Sequence, residues 1–225
     1  MFIATLTTLP KRIQNLEKVI KSIIDQVDEV HLNLPHKCLR TGEVYTLPSF
    51  KHSKLKIFRT EDYGSMTKLI PTLKRTNNND DILLVIDDDQ IYHQSFRDLK
   101  EKLKDDFSLI SRRVFWFEQL LVHEAWAGYF LKRKSICSVM LHQLEFIAKN
   151  IKYGNLTDDL NISFLLQKHG KKTFSKHAVY ETILENNEIE EINTENDFAL
   201  KEYDIMNINR YRLVLPQLIK TFGRL

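Results

Sequence analysis

The apolar positions of the chain change period from segment to segment, and each change marks an element. Phe2-Ile3-Ala4-Thr5-Leu6-Thr7 is dominated by apolar and β-branched residues and predicts a buried first strand. Thr7, Thr8 and Pro10 turn out of it. From Ile13, the positions Ile13, Leu16, Val19, Ile20, Ile23 and Ile24 recur at helical spacing and predict one amphipathic helix to about Gln26. Val30-His31-Leu32-Asn33-Leu34 alternates, as a strand does. Residues 35–53 form a long polar loop containing Gly42 and Pro48, and a loop that long inside a compact domain usually has a task. Leu55 to Phe58 is a third strand. Ser65 reads as the N-cap of a helix carrying Met66, Leu69, Ile70 and Leu73. Ile82-Leu83-Leu84-Val85-Ile86 then runs straight into Asp87-Asp88-Asp89.

Beyond the acidic triplet a charged helix is expected from His93 to Lys104, then a short strand at Leu109-Ile110. Arg112 to Trp126 is rich in aromatic residues. Gly128 to Leu131 reads as a strand and Ser135 to Lys149 as a helix. Thr157-Asp158-Asp159 opens another helix, with Leu160, Phe164 and Leu165 on one face and Gly170 as its stop. A last short strand is expected at Lys172-Thr173-Phe174, and a loose acidic, Asn-rich linker from Glu181 to Asp197. Helical material from Phe198 to Phe222 should be kinked or broken at Pro216. The order strand, helix, strand, strand, helix, strand belongs to the α/β class, with a mostly parallel, Rossmann-like sheet.

Composition narrows this picture without changing it. The 225 residues suffice for one sizeable α/β domain, or for a core domain with an extension. Hydrophobic residues at 43% promise a packed core, and charged residues at 28% argue for a soluble protein. A net charge of +3 without a dense basic block gives no reason to expect nucleic acid. Cys38 and Cys137 lack metal-ligand spacing, so the expectation is a reducing, cytoplasmic setting with no disulfide framework. Met1 to Thr8 is too short for a signal-peptide core or a membrane span.

The candidate chemistry starts at Asp87-Asp88-Asp89. Open α/β sheets hold ligands at the carboxyl ends of their strands. Three adjacent carboxylates raise one another's pKa unless a cation is near, and a divalent metal is the simplest way to keep them ionised. On the residues alone, one Asp capping a helix with two solvated neighbours explains the triplet equally well. A carboxylate at a helix start, as at Asp158, is often only a cap. Lys68 as a solvated helix lysine, Asp62 as a turn residue and Arg12 facing water are the plain alternatives for those side chains.

Several stretches then resemble one family in one order. Thr7-Thr8-Leu9-Pro10-Lys11-Arg12 resembles the nucleotide-gripping turn of GT-A glycosyltransferases, and Asp62-Tyr63-Gly64-Ser65-Met66-Thr67-Lys68-Leu69 the D-x-G-x-x-T-K-L segment of a family-2-like subgroup. Asp87-Asp88-Asp89 is similar to the DXD motif, Ala127-Gly128-Tyr129 to the acceptor-side strand, and Asp158-Asp159-Leu160 with Ile162-Ser163 to the acidic pair that holds the catalytic base. Ser65 stands where that subgroup usually has Pro, and Ala125 where a glycine is often seen. The resemblance covers roughly residues 2 to 180. It implies a GT-A catalytic domain over 1–180, leaving 181–225 as a linker and a helical extension packed on it.

The resemblance implies a transfer of sugar from a nucleotide-diphosphate sugar to a hydroxyl of a glycan or lipid-linked acceptor, with Mn2+ or Mg2+ as cofactor; one base and a metal-supported leaving group suit inversion, and a retaining course stays open because sequence does not fix stereochemistry. Asp159, the second acid of its pair, would be the base, beside Asp158. Thr7, Thr8, Arg12, Asp62, Lys68, Asp87 and Asp88 would grip the donor, and Asp89 with Asp87 the metal. His177 is placed by chain order as a third ligand, with His123 and His142 as rivals, although a lone histidine is more often structural. Glu124 and Trp126 would face the acceptor, and Trp126 is equally explained as a buried core residue. A metal-dependent nucleotidyltransferase and a non-catalytic nucleotide-sugar-binding protein remain alternatives on the same fold. A glycine-rich N-terminal signature would favour the nucleotidyltransferase, and only six glycines occur in the chain. The C-terminal apolar stripe from Ile205 to Phe222, interspersed with Arg210, Arg212, Lys220 and Arg224, is expected to dock on protein rather than on an anionic membrane.

Overall fold

The computed structural model describes residues 1–92, 96, 107–111, 113–173, 189–191 and 210–225. Its centre is a six-stranded sheet built from β1 (Phe2–Leu6), β2 (Glu29–Pro35), β3 (Leu55–Thr60), β4 (Ile82–Val85), β6 (Leu109–Ser111) and β9 (Tyr129–Lys132), in the spatial order β3-β2-β1-β4-β9-β6. The pairs β3–β2, β2–β1 and β1–β4 are parallel, whereas β9 runs antiparallel to both of its neighbours. This is the mixed, mostly parallel sheet of the α/β class, with helices on both faces.

The strand period of two decides which helices cover which face. Phe2, Ala4 and Leu6 of β1, with Leu84 of β4 and Ile86 just after it, join a core formed with Leu16, Val19, Ile20 and Ile23 of α1 (Leu16–Ile23). Ile3, Leu83 and Val85 point the other way. There they meet α2 (Ile70–Arg75), α3 (Ser138–Asn150), α4 (Asp158–Lys168) and α5 (Arg210–Phe222). The α5 side chains Val214, Leu215 and Leu218 are buried in that core, so the part of the C-terminal apolar stripe from Tyr211 to Phe222 lies against protein. Among the described residues no helix is long and apolar enough to cross a membrane.

Four local expectations differ from what is observed, and the aromatic stretch, which predicts no element by itself, takes a definite form. The helix expected from Ile13 to Gln26 is α-helical only over α1, because 3₁₀ turns at Pro10–Asn15 and Ile24–Gln26 tighten its ends. Ser65 caps nothing. It lies inside a 3₁₀ turn, Gly64–Lys68, and α2 begins only at Ile70, next to Pro71, whose missing N–H is tolerated in a first turn. The aromatic stretch is a hairpin of β7 (Val114–Phe117) and β8 (Leu120–His123), with Glu118 at φ 52° in its two-residue turn. Inside the supposed loose linker, β10 (Ile189–Glu191) pairs antiparallel with β5 (Gln90–Tyr92). Finally, α5 runs through Pro216 unbroken. The tertiary burial of the helix outweighs the hydrogen bond that Pro216 removes. Most of the expected His93–Lys104 helix, Phe174, and most of 181–209 lie outside the described residues.

Candidate active site

Parallel pairing of β1 with β4 fixes where the site lies. Thr5 stands opposite Val85, so the turn after β1 and the acidic triplet after β4 leave the sheet side by side. Between them and α4 lies a cavity of about 630 Å³, lined by Thr7, Thr8, Arg12, Asp62, Lys68, Asp87, Asp88, Asp89, Trp126, Asp158 and Asp159, among others. The structure therefore brings together, around one cavity, residues that the sequence places far apart. Glu124 is not among the lining residues, and His177 lies outside the described residues. His123 is fully buried, pairs through Nδ1 with Ser111 Oγ at 2.8 Å, and is pushed down to about 3 by burial. His142, on α3, hydrogen-bonds the Ser138 carbonyl. Neither rival histidine lines the cavity.

Lys68 organises the centre. Its side chain is almost wholly buried, with Nζ 2.5 Å from Asp87 Oδ1 and 2.8 Å from Asp158 Oδ2. A buried ammonium costs several kcal/mol of lost hydration. The charges of Asp158, Asp87 and Asp159 more than offset that burial and hold the lysine well above its ordinary pKa. The backbone beneath it is anchored by buried polar groups that apolar patterning could not single out. Thr5 Oγ1 donates to the Lys68 carbonyl, and Asn33 Nδ2 reaches the same oxygen at 3.3 Å. Gly64 sets the second contact. With φ at 64°, it lets the turn approach the segment before α4 so closely that a Cβ would sit 2.1 Å from the Asn155 carbonyl oxygen. That approach brings Lys68 to Asp158.

Arg12 does for the triplet what Lys68 does for the pair. Its Nη1 lies 3.0 Å from both Asp88 Oδ1 and Asp89 Oδ2, and Thr8 Oγ1 donates to Asp88 Oδ2 at 2.5 Å. Asp88 is thereby a brace between the two turns. Asp87 and Asp89 are different. Burial, with the added charge of a neighbouring aspartate in each case, raises both carboxyls above the usual range despite Lys68 and Arg12. About a quarter of each side chain remains exposed to the cavity.

The cavity lining carries six aspartates against four cationic side chains, Arg12, Arg40, Lys68 and Arg210. Even with one aspartate protonated, a negative surplus remains before any anionic substrate enters. Hard carboxylate oxygens in surplus fit a divalent cation such as Mg2+ or Mn2+. Among the described residues no group of three His, Cys, Asp or Glu side chains converges on one point. Asp87 and Asp89 would thus supply two ligands, with other positions left to substrate oxygens and water.

Asp158 and Asp159 are neighbours on the first turn of α4 with opposite electrostatics. The N-cap residue is Thr157 rather than Asp158, and it makes no side-chain capping bond. Burial would raise Asp158, but the Lys68 ammonium holds it below the usual carboxylate range. Burial and the charge of Asp158 push Asp159 well above that range, although Asp159 Oδ1 accepts the Ala125 N–H at 3.0 Å.

Asp62 lines the cavity with both carboxylate oxygens engaged. Oδ1 accepts from Gly64 N at 2.7 Å and Thr67 Oγ1 at 3.2 Å, and Oδ2 accepts from Leu39 N at 2.8 Å. It ties the long polar loop to the 3₁₀ turn, and Tyr45 pins the same loop by donating to the Thr8 carbonyl at 2.8 Å. Cys38, Leu39, Arg40 and Tyr45 of that loop form a wall of the cavity. Sequence reasoning flagged the loop's length but none of these residues. It also missed Arg210 and Tyr211, which enter the cavity from α5.

No family model and no curated protein matches the chain. Among solved structures it is similar to the 2-C-methyl-D-erythritol 4-phosphate cytidylyltransferase of Francisella tularensis, at 13% identity over 90% of this chain and 99% of that one, with a TM-score of 0.46. The glycosyltransferase GlyE of Streptococcus pneumoniae is similar at 11% identity over 99% of this chain and 65% of that one, TM-score 0.49. An active-site mutant of LgtC is similar at 10% identity over 94% of this chain and 99% of that one, TM-score 0.49. At such values the likeness says nothing about substrate or chemistry.

Proposed function

We propose that the chain is a metal-dependent glycosyltransferase that moves a sugar from a nucleotide-diphosphate donor to a hydroxyl of a glycan or lipid-linked acceptor, with inversion. The observation that carries this reading is the opposed pair Asp158 and Asp159 in one cavity with the surplus carboxylates Asp87 and Asp89. Environments that push two acids apart assign them different work. Asp159, raised by burial and the charge of Asp158 above the usual carboxylate range, is suited to take a proton. As the acceptor oxygen bonds to the anomeric carbon, Asp159 removes its proton, and the bond from that carbon to the diphosphate breaks with its electron pair staying on the phosphate oxygen. Asp158 is ion-paired to Lys68 through Oδ2, and one base with a metal-supported leaving group suits a single displacement with inversion. Asp89 and Asp87 would hold the cation, whose chemistry is to neutralise charge on the leaving diphosphate. Thr7, Thr8, Arg12 and the Asp62-tethered loop would hold the rest of the donor.

The test is a panel of nucleotide sugars assayed for nucleoside diphosphate release with and without Mn2+. Metal-dependent release that excess EDTA and Asp89→Asn both abolish is the expected result. Pyrophosphate release from a nucleoside triphosphate and a sugar phosphate would establish the nucleotidyltransferase instead. Donor binding without any turnover would establish a binding protein.

A further inference from the structure

Arg210 and Tyr211 are the first residues of α5, and both line the cavity. The helix is fixed in place by burial of Val214, Leu215 and Leu218, by Gln217 Nε2 donating to the Lys152 carbonyl at 3.3 Å, and by Lys168 Nζ on the Arg224 carbonyl. The Tyr211 ring stacks flat on Phe115, with centroids 5.9 Å apart and planes 5° apart, and meets Phe117 edge-on at 5.6 Å. Both phenylalanines belong to β7. Its hairpin partner β8 is fastened along α4 by Gln167 and Ser163, which bond the backbone of Leu121 and His123. Tyr211 is thus held on the side of the cavity where α4 presents Asp159, and burial and the charges of Asp159 and Asp158 raise its phenol.

The charges divide unevenly. Arg12 and Lys68 each sit between two aspartates. Arg210 reaches a neutral partner, the Leu156 carbonyl at 3.4 Å, just before the start of α4. A phenol held on an aromatic platform and a guanidinium with a neutral partner, with Trp126 in the same cavity lining, form a surface for a sugar ring that carries an acid. The ring packs on the aromatic edges, the phenol bonds a hydroxyl, and the guanidinium takes a carboxylate or phosphate.

We propose that α5 completes the acceptor subsite, and that Arg210 and Tyr211 select an acceptor sugar bearing an anionic group, carboxylate or phosphate, next to the base Asp159. This rests on the glycosyltransferase reading above, in which the donor occupies the side of Asp87, Asp89 and Arg12.

Ligand-observed NMR titration of the full chain tests it with matched probes: methyl glucoside against methyl glucuronide, methyl galactoside against methyl galacturonide, and glucose 6-phosphate as the phosphate arm. At least one charged probe should bind about tenfold more tightly than its neutral counterpart. Arg210→Gln should erase that preference and leave nucleoside diphosphate affinity unchanged, while Arg210→Lys keeps most of it. Tyr211→Phe should weaken charged and neutral sugars alike. A preference for the carboxylate arm or for the phosphate arm identifies the acid. Equal binding of charged and neutral probes, binding of none, or a preference that survives Arg210→Gln overturns the inference. So does displacement of the charged sugar by UDP or GDP, which would move the site to the donor side. Failure of the glycosyltransferase reading shows separately, as absent donor turnover in the nucleotide-sugar panel.

Discussion

At the scale of single residues, the site is a set of buried charges whose neighbours decide their state. Asp158 and Lys68 stabilise each other, whereas Asp159 is held at a cost. Asp158→Asn should therefore lower unfolding stability by up to about 3 kcal/mol, because it strips one partner from a buried ammonium; Asp87 still holds Lys68, which caps the loss. Asp159→Asn should leave the melting temperature equal or higher, yet slow sugar transfer by ~10²–10⁴ with donor affinity little changed. Thermal unfolding and steady-state rates on the two variants check both halves. If Asp158→Asn slowed transfer and Asp159→Asn did not, the base would be the other acid. Gly64→Ala should cost at least about 1–3 kcal/mol through left-handed strain alone. Because its Cβ would strike the Asn155 carbonyl, it should also separate Lys68 from Asp158. Denaturant unfolding measures the first effect and loss of donor binding the second. Lys68 and the acid motifs were legible in the sequence through the resemblance of their short segments, whereas the residues alone allowed a solvated lysine and a helix cap. Thr5 and Asn33, which hold Lys68 from below, were not legible, since nothing in a strand pattern marks a polar side chain that a distant turn will use.

At the scale of elements, two hidden features shape the site. The β7–β8 hairpin carries no Asn-Gly or Asp-Gly signal, and its turn places Glu118 at positive φ instead. Glu118→Gly should relieve left-handed strain of about 1–2 kcal/mol, less the entropy that glycine loses on folding. A small rise in melting temperature, with unchanged activity, is the expected outcome, and a fall would show that the turn is not strained. The second feature is α5. Leu218→Ala should cost about 2–5 kcal/mol and should weaken acceptor use before donor binding, because α5 carries Tyr211 to the cavity. Parallel decline of both affinities would argue that α5 only supports the core. The amphipathic stripe of α5 was legible as a repeat of apolar positions. What it docks against was not, because a helical stripe records only that a partner exists.

At the scale of the whole molecule, acid should destabilise the fold through its buried histidines and through Asp158, whose carboxyl the Lys68 ammonium holds low. Burial pushes His123 down to about 3, and burial also lowers His31. The folded state keeps His123 neutral through the mildly acid range and shifts His31 in the same direction. An unfolded chain gains these protons as pH falls through about 6.5. Their contribution is therefore fully present above that pH and lost progressively below it, down to the folded pKa. For His123 the slope is about 1.4 kcal/mol per pH unit in the window below 6. His123→Gln should flatten the stability profile between pH 6 and 5 by about that amount, measured by urea unfolding at each pH. An unchanged slope would mean that the imidazole takes a proton in the folded state.

The sequence by itself determined the parallel core strands, the helices that flank them and the two acidic motifs, because these follow from periods and spacings within a few residues. It determined the alternative uses of each acid but not the choice among them. That choice came from the tertiary structure, since a carboxyl's pKa depends on what desolvates it and which charge lies within a few ångströms. Only folding set Arg12 against Asp88 and Asp89, Lys68 between Asp87 and Asp158, and Arg210 and Tyr211 beside the acid pair. The sheet order decides the first two, by bringing the ends of β1 and β4 together above the Gly64 turn. The third depends on α5 packing back across the core from the end of the chain, a contact that no local pattern encodes.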